Sequence, residues 1–293
     1  MRGAWLACGL FAALLGAGEA RAADPAVPSD AFGVLILAHG GTPQWNRLVE
    51  QAVAEAKLEA PTQVAFGMGM HPGEVQEIQR GVRKLEERGV RRLVVVPLLI
   101  SSASEVIRQY HYLLGLRLDG PWQEHAKPVA LRVPVTMTQP LDDDPVVAEI
   151  LLDRARALSQ RPSEEAVVLV AHGPVTDEDN AQWLAVMDRL AKRLQRAGHF
   201  RAVVPVTMRD DAPQAVQERA TEQMRRIVRE QSEQGRALVV PLLLASGGIE
   251  AKIPRRLKGL TYEYLGQTLL PHPKLAEWIA RRVRAAMPVA SAR

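Results

Sequence analysis

The apolar positions of this chain fall into short unbroken runs, each followed by a longer stretch with helical spacing. Gly33-Val-Leu-Ile-Leu-Ala-His39-Gly40 and Ala166-Val-Val-Leu-Val-Ala-His172-Gly173 are two such runs, nearly identical, and both break at His-Gly. They are apolar at every position and too short for a helix, so they predict buried strands that open into loops. Amphipathic stretches over 45–60 and 180–197 follow and predict helices. Second strands are read at 64–68 and 202–208, each ending on a methionine, Met68 and Met208. Helices over 73–88 and 213–234 then close on Gly89 and Gly235, the residue type that most readily ends a helix. Third strands at 92–101 and 237–245 share Val-Val-Pro-Leu-Leu. Fourth strands are expected at 129–135 and 262–265, ahead of Pro145 and Pro273, where last helices begin. The chain is one unit written twice.

Strands that are apolar throughout and alternate with helices require a parallel sheet covered on both faces and joined by right-handed crossovers. The expected architecture is therefore α/β, with two tandem doubly wound parallel-sheet domains at 23–160 and 161–293. The polar segment 158–165 forms the connection between them. Ligands of such sheets bind beyond the carboxyl ends of the strands. Those ends carry His39-Gly40-Gly41, Met68-Gly69-Met70-His71 and Ser101-Ser102-Ala103-Ser104-Glu105 in the first half. In the second half they carry His172-Gly173, Met208-Arg209-Asp210-Asp211 and Ser246-Gly247-Gly248. A cleft between the halves is the expected site.

Composition removes several classes. Lysine and arginine number 37 against 33 acids and are scattered over the predicted helices, and aromatics are 4% of the chain. Neither a nucleic-acid footprint nor base-stacking platforms follow from that. A single cysteine, Cys8, excludes a disulfide framework and a thiolate zinc cluster. Arg2, the apolar run 4–16 and Ala20-Arg21-Ala22 read as a secretory signal over 1–22, cleaved after about Ala22 and too short to span a bilayer. The mature chain is expected to be thiol-free, without a membrane span, and periplasmic or extracellular. Histidine phosphatases need an arginine directly before the strand-end histidine, where this chain has Ala38 and Ala171. Gly67-Met68-Gly69 lacks the third glycine of a dinucleotide fingerprint, and there is no Gly-x-Ser-x-Gly elbow, Walker loop or His-Glu-x-x-His helix.

The duplicated Ala-His-Gly strand end, the Ala-Phe strand before a Pro-led helix, the Val-Val-Pro-Leu-Leu strand and the closing Leu-x-x-x-Pro helix together resemble the sirohydrochlorin/cobalt chelatases, the CbiX-like class II enzymes. The likeness runs over about 31–285 and rests on the order of the motifs. It implies a ferrochelatase-like fold of two similar halves, insertion of a divalent metal (Co, Fe or Ni) into a tetrapyrrole, and no organic cofactor. A two-domain monomer would supply the paired halves. The family histidine after the first strand, ligand and proton acceptor, maps to His39 and, in the repeat, to His172. Metallation expels two pyrrole N–H protons, so a neutral imidazole and a nearby carboxylate suit it, and His39 with Glu105 is the expected catalytic pair. Gly40, Met68 and Ser102 would contact the ring, with Met70 and His71 on the same rim. Against the family pattern, Ala103 stands where a second histidine is usual, with Gly247 or Gly248 in the repeat, and Met68 and Met208 stand where a carboxylate is expected. An exported protein that only binds the ring or the ion is the alternative.

Plainer roles exist for the same residues. A strand-end histidine commonly orders its loop by bonding to the backbone, and methionines such as Met68 and Met208 commonly fill cores. His39, Met68 and Met70 together would suit a soft ion such as Cu(I). His71 reads as a solvent-facing turn residue, His111 as a helix-face residue, His125 and His199 as loop or helix-end residues, and Asp142-Asp143-Asp144 as a helix N-cap.

Overall fold

The computed structural model describes residues 31–68 and 70–287; the segment 1–22 read as an export signal, with Cys8, and Gly69 lie outside the described residues. In the first half β1 (Phe32–Ala38), α1 (Pro43–Glu55), β2 (Thr62–Phe66), α2 (Pro72–Glu86), β3 (Arg92–Leu98), α3 (Glu105–Leu113), β4 (Val135–Met137) and α4 (Pro145–Arg156) follow one another. The second half runs β5 (Glu165–Ala171), α5 (Asp177–Gly198), β6 (Ala202–Thr207), α6 (Gln214–Glu233), β7 (Arg236–Leu242), α7 (Lys252–Arg256) and α8 (Pro273–Ala286). The strands form two parallel sheets, β2-β1-β3-β4 and β6-β5-β7.

The fourth strands differ from the sequence reading. In the first half the paired residues are 135–137, because the backbone just upstream is spoken for: Val129 N donates to Leu113 O, Ala130 N to Gln79 Oε1 and Arg132 N to Glu86 Oε1. In the second half only Glu263 reaches the sheet, through one bridge to Leu238. Gly259 and Gly266, both at positive φ, turn the chain on either side of it, while Tyr262 and Tyr264 pack onto the neighbouring core.

Alternate residues along each central strand serve different cores, as a pleat dictates. Leu35 and Leu37 face the core under α2 and α3, and Val168 and Val170 face the one under α6 and α7. Val34, Ile36 and Ala38 of β1 and Val167, Leu169 and Ala171 of β5 enter one shared core with residues of α1, α4, α5 and α8. That shared layer is built by exchange. Helix α4, from the first half, packs on β7 and α5 of the second, and α8, from the second, packs on β3 and α1 of the first. Polar contacts pin both helices. Arg154 of α4 donates to the carbonyls of Thr268, Leu269 and Pro271, and the buried Trp278 of α8 donates to Asp144, the N-cap of α4. The acidic run thus does cap a helix, as expected.

Candidate functional site

His39 is the first residue past β1, and Gly40, at φ +78°, turns the chain there. A side chain on Gly40 would lie 3.1 Å from the Phe66 Cβ. The loop continues into α1, whose first turn holds it: Thr42 Oγ1 accepts from Trp45 N at 3.3 Å and Asn46 Oδ1 accepts from Gly41 N at 2.9 Å. His39 Nδ1 sits 2.7 Å from Gly40 O. A carbonyl oxygen only accepts, so Nδ1 carries the hydrogen and Nε2 keeps its lone pair. The ring is exposed, with its centroid 6.3 Å from that of Trp45.

The repeat reproduces this geometry. Gly173 has φ +75°, and His172 Nδ1 lies 3.0 Å from Gly173 O. The surroundings of the two rings differ, and strand register shows why. Ala38 pairs with Phe66 and Ala171 with Thr207, and the next amides, Gly67 N and Met208 N, donate to the carbonyls of Ala38 and Ala171. Gly67 therefore matches Met208, and Met68 matches Arg209, so the two methionines are not counterparts. Met208 is fully buried core filler, whereas Met68 is 46% exposed and is not. Buried Tyr110 of α3 donates to Gly67 O and fixes the chain just before Met68. Met70 leans on the core under α2 and α3, and His71 caps α2 by accepting from Gly73 N at 3.4 Å.

In the second half Arg209 is buried and clamps the histidine loop. Its N–H donates to His172 O at 2.7 Å, its guanidinium donates to Pro174 O and Val175 O, and it pairs with Asp177 at 2.6 Å. Asp210 accepts from Lys252 and Arg256 of α7. Burial pushes its carboxyl up, but Lys252, Arg256 and the nearby His172 outweigh that and hold it below the usual carboxylate range. Asp211 Oδ2 lies 3.5 Å from His172 Nε2. His172, Asp210 and Asp211 offer ligand atoms within 4.8 Å of one another, the one such group of three or more His, Cys, Asp or Glu among the described residues.

Glu105 is the first residue of α3, exposed, and its carboxylate accepts from Gln109 Nε2 at 3.4 Å. No hydrogen bond or ion pair joins it to His39. Ser102 is anchored through its N–H and hydroxyl to Asp142 Oδ1, at 2.8 and 3.1 Å, while Ala103 is buried.

Loops from the two halves meet at these strand ends. A side chain added at Gly247, after β7, would lie 2.9 Å from Trp45 of α1, and a cleft of ≈ 390 Å³ beside this contact is lined by Thr42, Gln44, Arg47, Ser246, Gly247 and Glu250 among others. Arg108 of α3 reaches across to Asp179 of α5 through two parallel bonds of 2.9 Å, which holds the Asp179 carboxyl below its ordinary range. Sequence reading singled out neither Trp45 nor the Arg108–Asp179 bridge, because both act on the opposite half of the chain. Asp210 and Asp211 were visible as strand-end acids, but nothing in sequence tied them to His172.

The CbiX family profile matches residues 33–158 and again 166–286. The chain belongs to the CbiX family. The sirohydrochlorin cobaltochelatase of Methanopyrus kandleri is 27% identical over 136 residues, which are 94% of that protein and 42% of this chain. A nearly whole relative thus matches less than half of this CbiX chain, consistent with two copies of the unit. Among solved structures, SirB from Bacillus subtilis with Fe3+ superposes with TM-score 0.63 at 19% identity, covering 87% of this chain and 95% of that one. CbiX, described as the terminal enzyme of siroheme biosynthesis in denitrifying bacteria, gives 0.58 at 16%, covering 87% and 100%. The fold is that of the chelatases.

Proposed function

We propose that this CbiX-family chain inserts a divalent metal ion, Co2+, Fe2+ or Ni2+, into a tetrapyrrole of the sirohydrochlorin class, with His39 as the metal ligand and proton acceptor. The observation that carries this reading is the 2.7 Å contact of His39 Nδ1 with Gly40 O, which in a neutral ring takes the hydrogen at Nδ1 and leaves the lone pair on Nε2 of an exposed side chain at the carboxyl edge of the sheet. Two pyrrole protons must leave as the ion enters, and a neutral imidazole both accepts a proton and steers a cation. Glu105 is assigned the assisting carboxylate, and Gly40, Met68 and Ser102 the ring contacts, with the exposed Met68 offering an apolar surface to the macrocycle. No organic cofactor is required, and the metal is a substrate. We further propose that the chain acts as a monomer outside the cytoplasm after cleavage near Ala22.

A second reading, a protein that binds the ring without metallating it, is favoured by the lack of any hydrogen-bonded carboxylate at His39 among the described residues. Purified mature protein mixed with sirohydrochlorin and Co2+ separates the two. Faster development of the metallated spectrum than in the blank, lost in His39→Ala, supports turnover. A spectral shift on ring binding with metallation no faster than the blank supports the second reading, and no ring binding refutes both.

A further inference from the structure

Trp45 stands beside His39 in a way that core filling does not explain. It is the third residue of α1, partly buried, and its ring meets Phe66 at the end of β2 edge-on, with centroids 6.3 Å apart. That contact belongs to the shared core. Its other neighbours are strand-end loops. The His39 ring lies at a centroid distance of 6.3 Å and an interplanar angle of 53°, within the range where aromatic pairs attract. A Cβ placed on Gly41 would come 3.2 Å from Trp45 Cγ, and one on Gly247, in the loop after β7 of the second half, 2.9 Å from Trp45 Cδ1. The indole is thus walled by backbone from both halves. Glu250 holds the second wall, since its Oε2 accepts from Gly247 N at 3.1 Å and from Gly248 N at 2.9 Å.

The repeat carries no such ring. Asp179 occupies the matching place: it too is third in its helix, its N–H bonds the hydroxyl of a capping threonine, Thr176 for Thr42, and an asparagine follows. Its side chain is spent on Arg108. His172 has no aromatic partner among the described residues and has Asp211 Oδ2 3.5 Å from its Nε2 instead. The indole is therefore a feature of the first half alone, not one that both halves owe to duplication.

The His39 hydrogen bond runs to the carbonyl of the very next residue, on an exposed side chain, where water competes for both groups. Alone it restrains the ring weakly. A ring packed against the imidazole supplies a second point of restraint. We infer that Trp45 is the positioning residue of His39: it keeps Nδ1 on Gly40 O so that Nε2 points in one direction, and it ties that direction to the Gly247 loop of the second half. The hold on the imidazole follows from packing; only its use in metallation rests on the chelatase reading. A reacting group displaced by an ångström loses much of its rate, so the indole acts on turnover more than on capture of the macrocycle.

The test reads the His39 ring directly. Two-bond proton–nitrogen NMR spectra of mature protein with labelled histidine, at about pH 8 where an ordinary imidazole is neutral, report which nitrogen carries the hydrogen. His39→Gln identifies the signal. Wild type and Trp45→Phe are expected to show the Nδ1–H form, and Trp45→Leu a mixture of both forms, as in a free imidazole. Gly247→Ala, which crowds the indole from the other half, should move the signal the same way by less. In metallation of sirohydrochlorin by Co2+, Trp45→Leu should lower kcat about 10- to 100-fold and shift KM for the ring by less than about threefold, with Trp45→Phe recovering most of the rate. A thermal melt checks that Trp45→Leu is folded; if it is not, Gly247→Ala decides. An unchanged His39 signal in Trp45→Leu, or a raised KM with kcat intact, overturns the positioning role, and an unchanged signal in Gly247→Ala overturns the tie to the second half. Wild type that metallates nothing, while Trp45→Leu still mixes the two forms, defeats the chelatase reading alone.

Discussion

Asp144 is the joint between the two exchanged helices, and replacing it tests how much stability that exchange carries. Its Oδ1 caps α4 by accepting from Val146 N at 3.1 Å and also accepts from Arg281, while Oδ2 accepts from Trp278 Nε1 at 3.2 Å and from Arg282 at 3.4 Å. Asp144→Ala loses the cap, about 1 kcal/mol. It also leaves the N–H of a fully buried indole without a partner, about 1–3 kcal/mol. The arginines are partly exposed, so their pairs add at most about 1 kcal/mol after solvent screening. The expected loss is about 2–5 kcal/mol, which at roughly 2–4 °C per kcal/mol lowers Tm by about 4–20 °C. Asp144→Asn keeps one oxygen, enough for the cap or for the indole but not for both, because its NH2 only donates; it should cost less than alanine, about 1–2 kcal/mol. Urea unfolding followed by tryptophan emission measures both. An alanine variant within about 0.5 kcal/mol of wild type, or equal costs for Ala and Asn, would refute the joint.

Gly173→Ala should cost about 2 kcal/mol or more, since a Cβ there meets Thr207 Cβ at 2.6 Å on backbone at φ +75°; Gly40→Ala, with 3.1 Å to Phe66, should cost less, and thermal melts of the pair check the order. Burial, helped by the Arg154 charge, holds the His272 imidazole below its ordinary range despite Asp153. The unfolded chain then takes up the proton first, so this residue's contribution is full above about pH 6.5 and is lost as pH falls from there towards the folded value. His272→Gln should flatten the stability profile between about pH 7 and 5, and an unchanged slope would count against the assignment. Arg108→Met, which leaves Asp179 largely buried and unpaired, should lower stability by about 1–2 kcal/mol in urea; Asp179→Asn in the same background should recover part of it, and failure to do so would show that the bridge contributes nothing.

The central strands were legible in sequence because both of their faces are buried, which leaves a continuous apolar run and a visible duplication. Helix exchange was not legible, since the amphipathic stripes of α4 and α8 specify that a face is buried without naming which sheet covers it. The fourth strand of the second half failed for a local reason: Tyr262 and Tyr264 have strand composition, but Gly259 and Gly266 leave room for one bridge. At the site, matching Met68 with Met208 followed their resemblance as strand-ending letters, while hydrogen-bond register sets them one position apart. That single step hid both the exposure of Met68 and its correspondence with Arg209, the residue after Met208.

Because each half lends its last helix to the other, the duplicated unit is not a detachable part. A protease cut within residues 158–164 would produce two fragments that remain clasped after the peptide bond is gone. Made separately, either fragment would carry a sheet with one oily side bare, and would have to find its missing cover in another molecule. For an unduplicated ancestor packed in this way, company would have been a condition of folding rather than a refinement added later.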